Sequence, residues 1–394
     1  MPTAEIRPLE GAERIDAWMP LGAYAFEATP PLPDRQEWER FAQSERNPFH
    51  LILFEDDKPV ASAARSTMTE NVRGTAYPCG GVWGVAVHPS ARRHGYARRL
   101  VCELMTAMRE EGSAFTTLYP FRESFYARLG YTIFPQPRVI TFAPQALQPL
   151  LGMELGGVVE LLPIADGVEP YLDYLERYQR GHHGFGLFDR EQTAARLRES
   201  KRSWLALARV AGEVAGVMTY ENKGDPRRML ARNFYYDDHR GRYLLLEWFA
   251  RHIDQISEVE LKLMPGELPE TWLPDLAPQY RSGFPPMGRV LDVARLGGME
   301  VGSGSFTARI RDEQCPWNKG VFQFRAVEGR LQVTSSAAGD AACELTISGL
   351  SALIYGTHEP ETFAVRGWGA PSVAMQATMR AMFPPLLPFL HETF

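Results

Sequence analysis

The chain has 394 residues, 45% of them hydrophobic and 23% charged, with a formal net charge of −6 at pH 7. That is enough chain for two or three globular domains, and the wrong charge for a nucleic-acid partner, because holding a phosphate backbone needs a broad basic surface. Cys79, Cys102, Cys315 and Cys343 have neither zinc-site nor disulfide-framework spacing, residues 1–9 lack the apolar core of a signal peptide, and no run of about 18 apolar residues offers a membrane span, so a cytoplasmic protein without a metal is expected.

In chain order, residues 6–9 predict a short strand and 11–27 a helix that ends before Pro30, Pro31 and Pro33. Residues 50–54 and 60–67, joined through Asp56-Asp57-Lys58-Pro59, predict a hairpin. Residues 85–87 then read as the end of an apolar strand, and Leu100, Leu104, Ala107 and Met108 recur at helical spacing over a predicted helix 97–110. The connection between them is basic and contains Gly95. It aims the N–H groups of Arg93, His94, Gly95, Tyr96 and Ala97 outward from a helix start, a geometry that binds a pyrophosphate. Gly95 lets backbone approach the anion, and Ala97 keeps a bulky side chain out of its way. A P-loop is excluded because no Gly-Lys-Ser/Thr follows, and a dinucleotide fingerprint because Gly-x-Gly-x-x-Gly is absent. His88 and His94 sit in the turn and are read as facing solvent.

Residues 115–119 predict a strand, followed by Glu123-Ser124-Phe125-Tyr126-Ala127-Arg128-Leu129-Gly130-Tyr131. The middle of the chain repeats this order. Residues 205–220 echo the hairpin, and 234–236, Gly241, a helix over 244–256 and a strand over 259–265 follow at nearly equal intervals. Asp238 and Tyr243 stand where Arg92 and Ala97 align within one or two residues. A carboxylate repels a pyrophosphate and a tyrosine blocks it, so the second copy is expected to bind no coenzyme. From about residue 288 the pattern becomes short strands at 289–294, 302–311, 320–326, 330–335 and 343–347, then helices at 350–355 and 374–383.

The valine strand, Arg92-x-x-Gly95-x-Ala97 and the long helix resemble motif A of the GNAT acetyltransferases, and residues 125–131 are similar to their last helix and strand. With a degenerate second copy, a third region that looks like a sterol-carrier domain, and an aromatic end at Phe394, the chain resembles the Eis family of bacterial N-acetyltransferases. The sharpest residues are Val85, Val87, Arg92, Arg93, Gly95, Ala97, Tyr126 and Phe394. The resemblance implies an α/β and α+β protein: tandem GNAT-like mixed sheets with flanking helices, then a sterol-carrier-like α+β domain. The expected domains are 1–150 (catalytic), 151–287 (degenerate) and 288–394.

It also implies transfer of acetyl from acetyl-CoA, as co-substrate, directly to an amine. The acceptor would be a small aminoglycoside- or polyamine-like molecule or a lysine side chain. Tyr126 would be the general acid and the Phe394 carboxylate the general base, in a homo-oligomer, expected to be a hexamer. Expected coenzyme contacts are Val85, Ala86, Val87, Arg92, Arg93, His94, Gly95, Tyr96, Ala97 and Ser124. A phenol of pKa about 10 stays protonated at neutral pH and can serve a departing thiolate. An α-carboxyl near 3.5 is a poor base for an alkyl ammonium, about 9 kcal/mol uphill, so burial, a water relay or a purely orienting role must be involved. Tyr24, Phe26, Glu27, Trp83 and Glu123 are plausible walls for an amine pocket. Two other readings stay open: a lipid or acyl-CoA binder on a non-catalytic scaffold, and an acyltransferase for longer acyl-CoAs.

Overall fold

The computed structural model describes residues 4–27, 29–44, 49–224, 227–336 and 341–394. It divides into two compact units, one of Met1–Phe134, His182–Asp189 and Pro286–Phe394, the other of Pro135–Gly181 and Arg190–Pro285.

The first unit opens with β1 (Ala4–Leu9), α1 (Gly11–Gly22) and α2 (Arg35–Ser44), then β2 (Phe49–Glu55), β3 (Lys58–Val72) and β4 (Thr75–Val87). The long helix α3 (Tyr96–Glu110), β5 (Phe115–Leu118), the short α4 (Glu123–Ala127) and β6 (Thr132–Ile133) follow. Asp56 and Asp57 close the β2–β3 hairpin at φ of 48° and 59°, the left-handed pair that matches strand twist in two-residue turns. Leu100, Val101, Leu104, Met105 and Met108 form the buried stripe of α3, the apolar face anticipated from its spacing. Helix α1 contains Pro20 and passes into a π-helical turn at Ala23–Glu27, because proline removes a backbone donor and crowds the preceding turn.

The eight-stranded sheet runs β1-β2-β3-β4-β5, then Met287–Val290, then β6, with Gly186–Phe188 added beside β3. Two of these strands come from far along the chain. Met287–Val290 pairs antiparallel with β5, Met287 opposite Leu118 and Val290 opposite Phe115, although residue 287 falls in the range expected for the second domain. Conversely Arg138–Phe142, inside the expected 1–150, pairs with Glu258–Leu263 in the second unit. The strand expected over 289–294 stops at Val290, because Asp292 accepts a hydrogen bond from the N–H of Ala294 at 3.1 Å and starts a 3₁₀ turn at Val293–Arg295.

Within the same unit, Arg330–Ser336, Gly320–Val327, Ser305–Arg311 and Cys343–Thr346 form a four-stranded sheet. Helices Ile347–Tyr355, Phe363–Arg366 and Val373–Met382 accompany it. Its interior is filled by side chains, including Phe306 stacked on Phe324 at 4.9 Å, Leu345, Leu353, Met379 and Met382. The fully buried ion pair Arg289–Asp312 fastens this part to the large sheet. Asp312 also accepts from the N–H groups of Gln314 and Cys315, each at 3.1 Å, and from Asn318 Nδ2 at 2.9 Å. Asp312→Ala strands the buried guanidinium, and an expected loss of about 3–5 kcal/mol should appear in urea denaturation; a change within 0.5 kcal/mol would refute that account of the pair.

The second unit carries a seven-stranded sheet in the order Gln279–Ser282, Arg138–Phe142, Glu258–Leu263, Arg228–Tyr236, Glu213–Lys223, Trp204–Val210, Val158–Pro163. Its antiparallel hairpin, then helix His239–Ala250 leading to a strand parallel to Arg228–Tyr236, repeats the order β2-β3-β4-α3-β5. Tandem GNAT-like sheets and a sterol-carrier-like part therefore make up the α/β and α+β fold. Among the described residues no helix is long and apolar enough to cross a membrane.

Candidate active site

The site begins with a defect in the sheet. β4 runs parallel to β5 only from Cys79 to Val82. On its other side the register with β3 slips between Ser62 and Ala64, so Gly84 and Val85 form a bulge. Gly84 takes φ +62°, and its carbonyl accepts from Ser62 Oγ at 3.0 Å. A glycine in the left-handed region is what such a bulge requires, and the bulge bends the strand. Among the described residues, Trp83 to Val87 have no strand partner on the β5 side, which leaves main-chain groups open along that edge, although Arg92 Nε donates to Val87 O at 3.3 Å.

The same strand leads through the 3₁₀ turn Pro89–Ala91 to α3. Arg93 at φ 69° and Gly95 at φ 83° fold the chain back on itself. Holding a non-glycine residue left-handed costs about 1–2 kcal/mol, strain of the sort found where a backbone is shaped for a ligand. The N-cap, Gly95, has no side chain to offer the helix, and among the described residues no acceptor faces the N–H groups of His94, Gly95, Tyr96 and Ala97. A Cβ on Gly95 would meet nothing within 4 Å, so the turn is uncrowded at that position.

The matching helix of the second unit is closed. Asp238 is its N-cap and accepts from Arg240 N at 2.9 Å and Gly241 N at 3.1 Å, while Tyr243 Oη donates to Trp272 O at 2.9 Å. The chain's own carboxylate takes the donors that the first unit leaves open. One coenzyme A thioester per chain is the expected stoichiometry by calorimetry, two being the result that overturns it. Asp238→Ala should cost about 0.5–2 kcal/mol of stability without changing that count.

A cavity of about 970 Å³ lies along the open edge of β4. Val85, Ala86, Val87, Arg92 and Ala97 form one side of it, and Tyr126 and Phe394 also line it. Tyr126 sits on α4 and is 3% exposed. Its carbonyl accepts from Leu129 N at 2.8 Å and Tyr131 N at 3.2 Å, and its ring packs edge-on against Phe125 at 4.9 Å. Burial pushes its phenol above the usual range.

Phe394 arrives on a docked tail. Arg73 donates to Pro384 O at 2.9 Å, and burial brings that guanidinium down to about 10. Phe389 N donates to His183 O at 3.0 Å, Tyr119 Oη to Leu390 O at 3.3 Å, and Phe188 N to Glu392 Oε1 at 3.3 Å. His391 stacks on Phe185 at 4.7 Å. The Phe394 ring ends above Gly81, 2.8 Å from where a Cβ would be. Segment His182–Asp189, read from sequence as part of the second copy, thus builds a wall for the tail.

Not every expected residue meets the cavity. Arg93, His94 and Gly95 are exposed on the turn, and Tyr96 donates to Glu55 Oε1 at 2.7 Å. Ser124 and Glu123 are exposed and lie outside the lining; Ser124 contributes a carbonyl to Arg128 Nε at 3.0 Å. Tyr24 stands under the Arg92 guanidinium at 5.8 Å, Phe26 and Trp83 do line the cavity, and the side chain of Glu27 lies outside the described residues. Sequence reasoning missed Trp18, Trp38 and Tyr119, since aromatic residues on amphipathic segments read as core; the proline break after α1 was the available signal.

Residues 5–134 match the family described as Acetyltransferase (GNAT) domain, and residues 294–390 match Sterol carrier protein domain. The chain thus carries a GNAT acetyltransferase domain near its start and a sterol-carrier domain near its end. Its fold follows, from end to end, that of a conserved protein of unknown function and probable N-acyltransferase from Enterococcus faecalis V583 (TM-score 0.86, 20% identity, 100% of both chains). A GCN5-related N-acetyltransferase from Anabaena variabilis ATCC 29413 is similar (0.85, 17%, 99% of this chain and 100% of that one). So is Eis1 from Mycobacterium abscessus (0.76, 17%, 100% of both). The arrangement is Eis-like. No curated protein matches the sequence.

Proposed function

We propose that the first domain transfers acetyl from acetyl-CoA directly to an amine, with Tyr126 as proton donor and the Phe394 carboxylate as the group that receives and orients the amine. The observation that carries this reading is the convergence of the open β4 edge, the uncapped start of α3, Tyr126 and Phe394 on one cavity. The fit to the coenzyme is chemical. Free amides at a helix start suit a pyrophosphate, Arg92 adds positive charge, and the open edge at Val85, Ala86 and Val87 suits the amides of a pantetheine arm. Arg93, His94, Gly95, Tyr96 and Ala97 would serve through main-chain groups, while Ser124 stays at the periphery.

Bound acetyl-CoA supplies a thioester already activated toward an amine. Tyr126 keeps its proton because ionising a phenol in this apolar surrounding is costly, and holds it for the sulfur that leaves. An N–H of the β4 edge can stabilise charge on the carbonyl oxygen. The Phe394 carboxylate draws in an ammonium and aligns it; water at the cavity mouth can carry the proton away. The test is calorimetric binding of acetyl-CoA followed by release of free thiol on adding amines, with the acetylated product weighed by mass spectrometry. No binding and no thiol release would overturn the reading. The oligomer is proposed to be a homohexamer, and light scattering that finds a monomer at micromolar concentration would reject it.

A further inference from the structure

We infer that the acceptor is a monoamine carried on an apolar, ring-bearing body, an arylalkylamine, and not a polycation. The inference rests on the acetyltransferase reading above and names the substrate class of that same cavity.

Away from Val85–Val87 the cavity is walled by Trp18, Phe26, Trp38, Trp83 and Phe121. The tryptophans form a fixed lattice. Trp18 meets Trp38 at 4.7 Å and 88°, and Trp83 at 5.9 Å and 84°. Trp83 Nε1 donates to Ser66 Oγ at 3.0 Å, which sets the plane of that indole. Gly22 is the clearance that admits them, since a Cβ there would come within 2.8 Å of Trp38 and 3.3 Å of Trp18. Phe26 and Phe121 are 59% and 68% exposed. Large apolar side chains left that open on a cavity rim offer area that a bound molecule can cover.

Charge points the same way. Among the described lining residues the one acidic side chain is Glu37, set against Arg40 and Arg92. Glu37 is already engaged, because its Oε2 accepts from Asp34 N at 3.1 Å while Asp34 Oδ1 accepts from Glu37 N at 2.9 Å, a reciprocal capping pair at the start of α2. Each ammonium taken from water needs a carboxylate or several acceptors in return. Among the described lining residues the Phe394 end and the capping Glu37 are the places an ammonium could be neutralised, and there is no series of acidic groups for three or four more. An aromatic or aliphatic body, by contrast, needs only apolar contact, which this wall supplies.

Two measurements on the full chain decide it. Intrinsic tryptophan fluorescence is titrated with 2-phenylethylamine, n-butylamine, spermine and kanamycin in the absence of coenzyme, and kcat/KM is then measured for the same amines with acetyl-CoA. Saturable quenching by 2-phenylethylamine is expected, with a kcat/KM at least about tenfold above that for spermine or kanamycin. Phe26→Ala and Phe121→Ala, both on the rim, should lower the preference for 2-phenylethylamine over n-butylamine at least threefold. Equal or faster acetylation of the polycations overturns the inference and leaves the acetyltransferase reading standing. Acetylation of none of these amines, with no acetyl-CoA binding, overturns that reading instead. The quench titration then still judges the wall, and absence of quenching by 2-phenylethylamine rejects the inference.

Discussion

Tyr126→Phe is expected to lower kcat by roughly 10²- to 10⁴-fold while the dissociation constant of acetyl-CoA stays within about twofold. The substitution removes one hydroxyl and leaves the ring, which packs against Phe121 at 5.5 Å, Phe125 at 4.9 Å and Tyr131 at 5.9 Å, so the fold and the coenzyme groove remain. A loss confined to kcat and kcat/KM marks an interaction made only in the transition state. The sign of the pH dependence follows from burial. The phenol lies above its usual value, so the acid form persists across the working range and titration of Tyr126 causes no fall in kcat below about pH 10. Below about pH 10 the phenylalanine variant should lower the level of the profile without changing its shape. An unaltered turnover number with a good amine would return Tyr126 to a packing role.

The second large effect concerns the tail. Deleting Phe394, or adding one residue after it, is expected to cut acetyl transfer by about 10²-fold or more with little change in coenzyme affinity. Residues Phe389 and Leu390, 3% and 1% exposed, hold the chain just before its last four residues, so an extension cannot be absorbed by sliding the tail. One added residue displaces the carboxylate by up to about 3.5 Å, beyond the reach of a hydrogen bond. Gly81→Ala approaches the same question from the sheet. Its Cβ would press on Cζ of Phe394 at 2.8 Å, and the ring, being the free end, moves before the strand does. Turnover with one amine should fall in all three variants; equal rates in native, shortened and lengthened chains would make the tail structural and send the search for a base elsewhere.

What could be read from the sequence was what is local. A helix start needs free donors and a glycine within a few residues, so the stretch from Val85 to Ala97 announced its geometry, and Asp238 announced the loss of it. Strand partnership is not local. Nothing near Met287 says that it lies opposite Leu118, nor does anything near Phe188 say that it pairs with Met68; alternating apolar residues identify a strand but not its neighbour. Met287–Val290 and Arg138–Phe142 accordingly pair across the expected boundaries. The acceptor wall was obscured for a different reason. Trp18 and Trp38 are 2% and 7% exposed, and a tryptophan that lines a cavity floor has the same spacing as one that fills a core. Glu123 shows the converse: a carboxylate three residues before Tyr126, which in sequence suits a pocket wall for an amine, is exposed and lies outside the cavity lining.

The contrast between the two helix starts also bears on how each unit keeps itself folded. Asp238 closes its helix with a carboxylate of the same chain, so that helix start leaves no donors for an anion from solution. The start of α3 leaves its donors open, and an anion bound there would add its binding free energy to the folded state, growing with the logarithm of ligand concentration. Amides at the head of α3 should therefore exchange with deuterium at a rate set by coenzyme supply, while those at the head of His239–Ala250 hold steady. One chain thus contains an open helix start and a closed counterpart, distinguished by the placement of a single carboxylate.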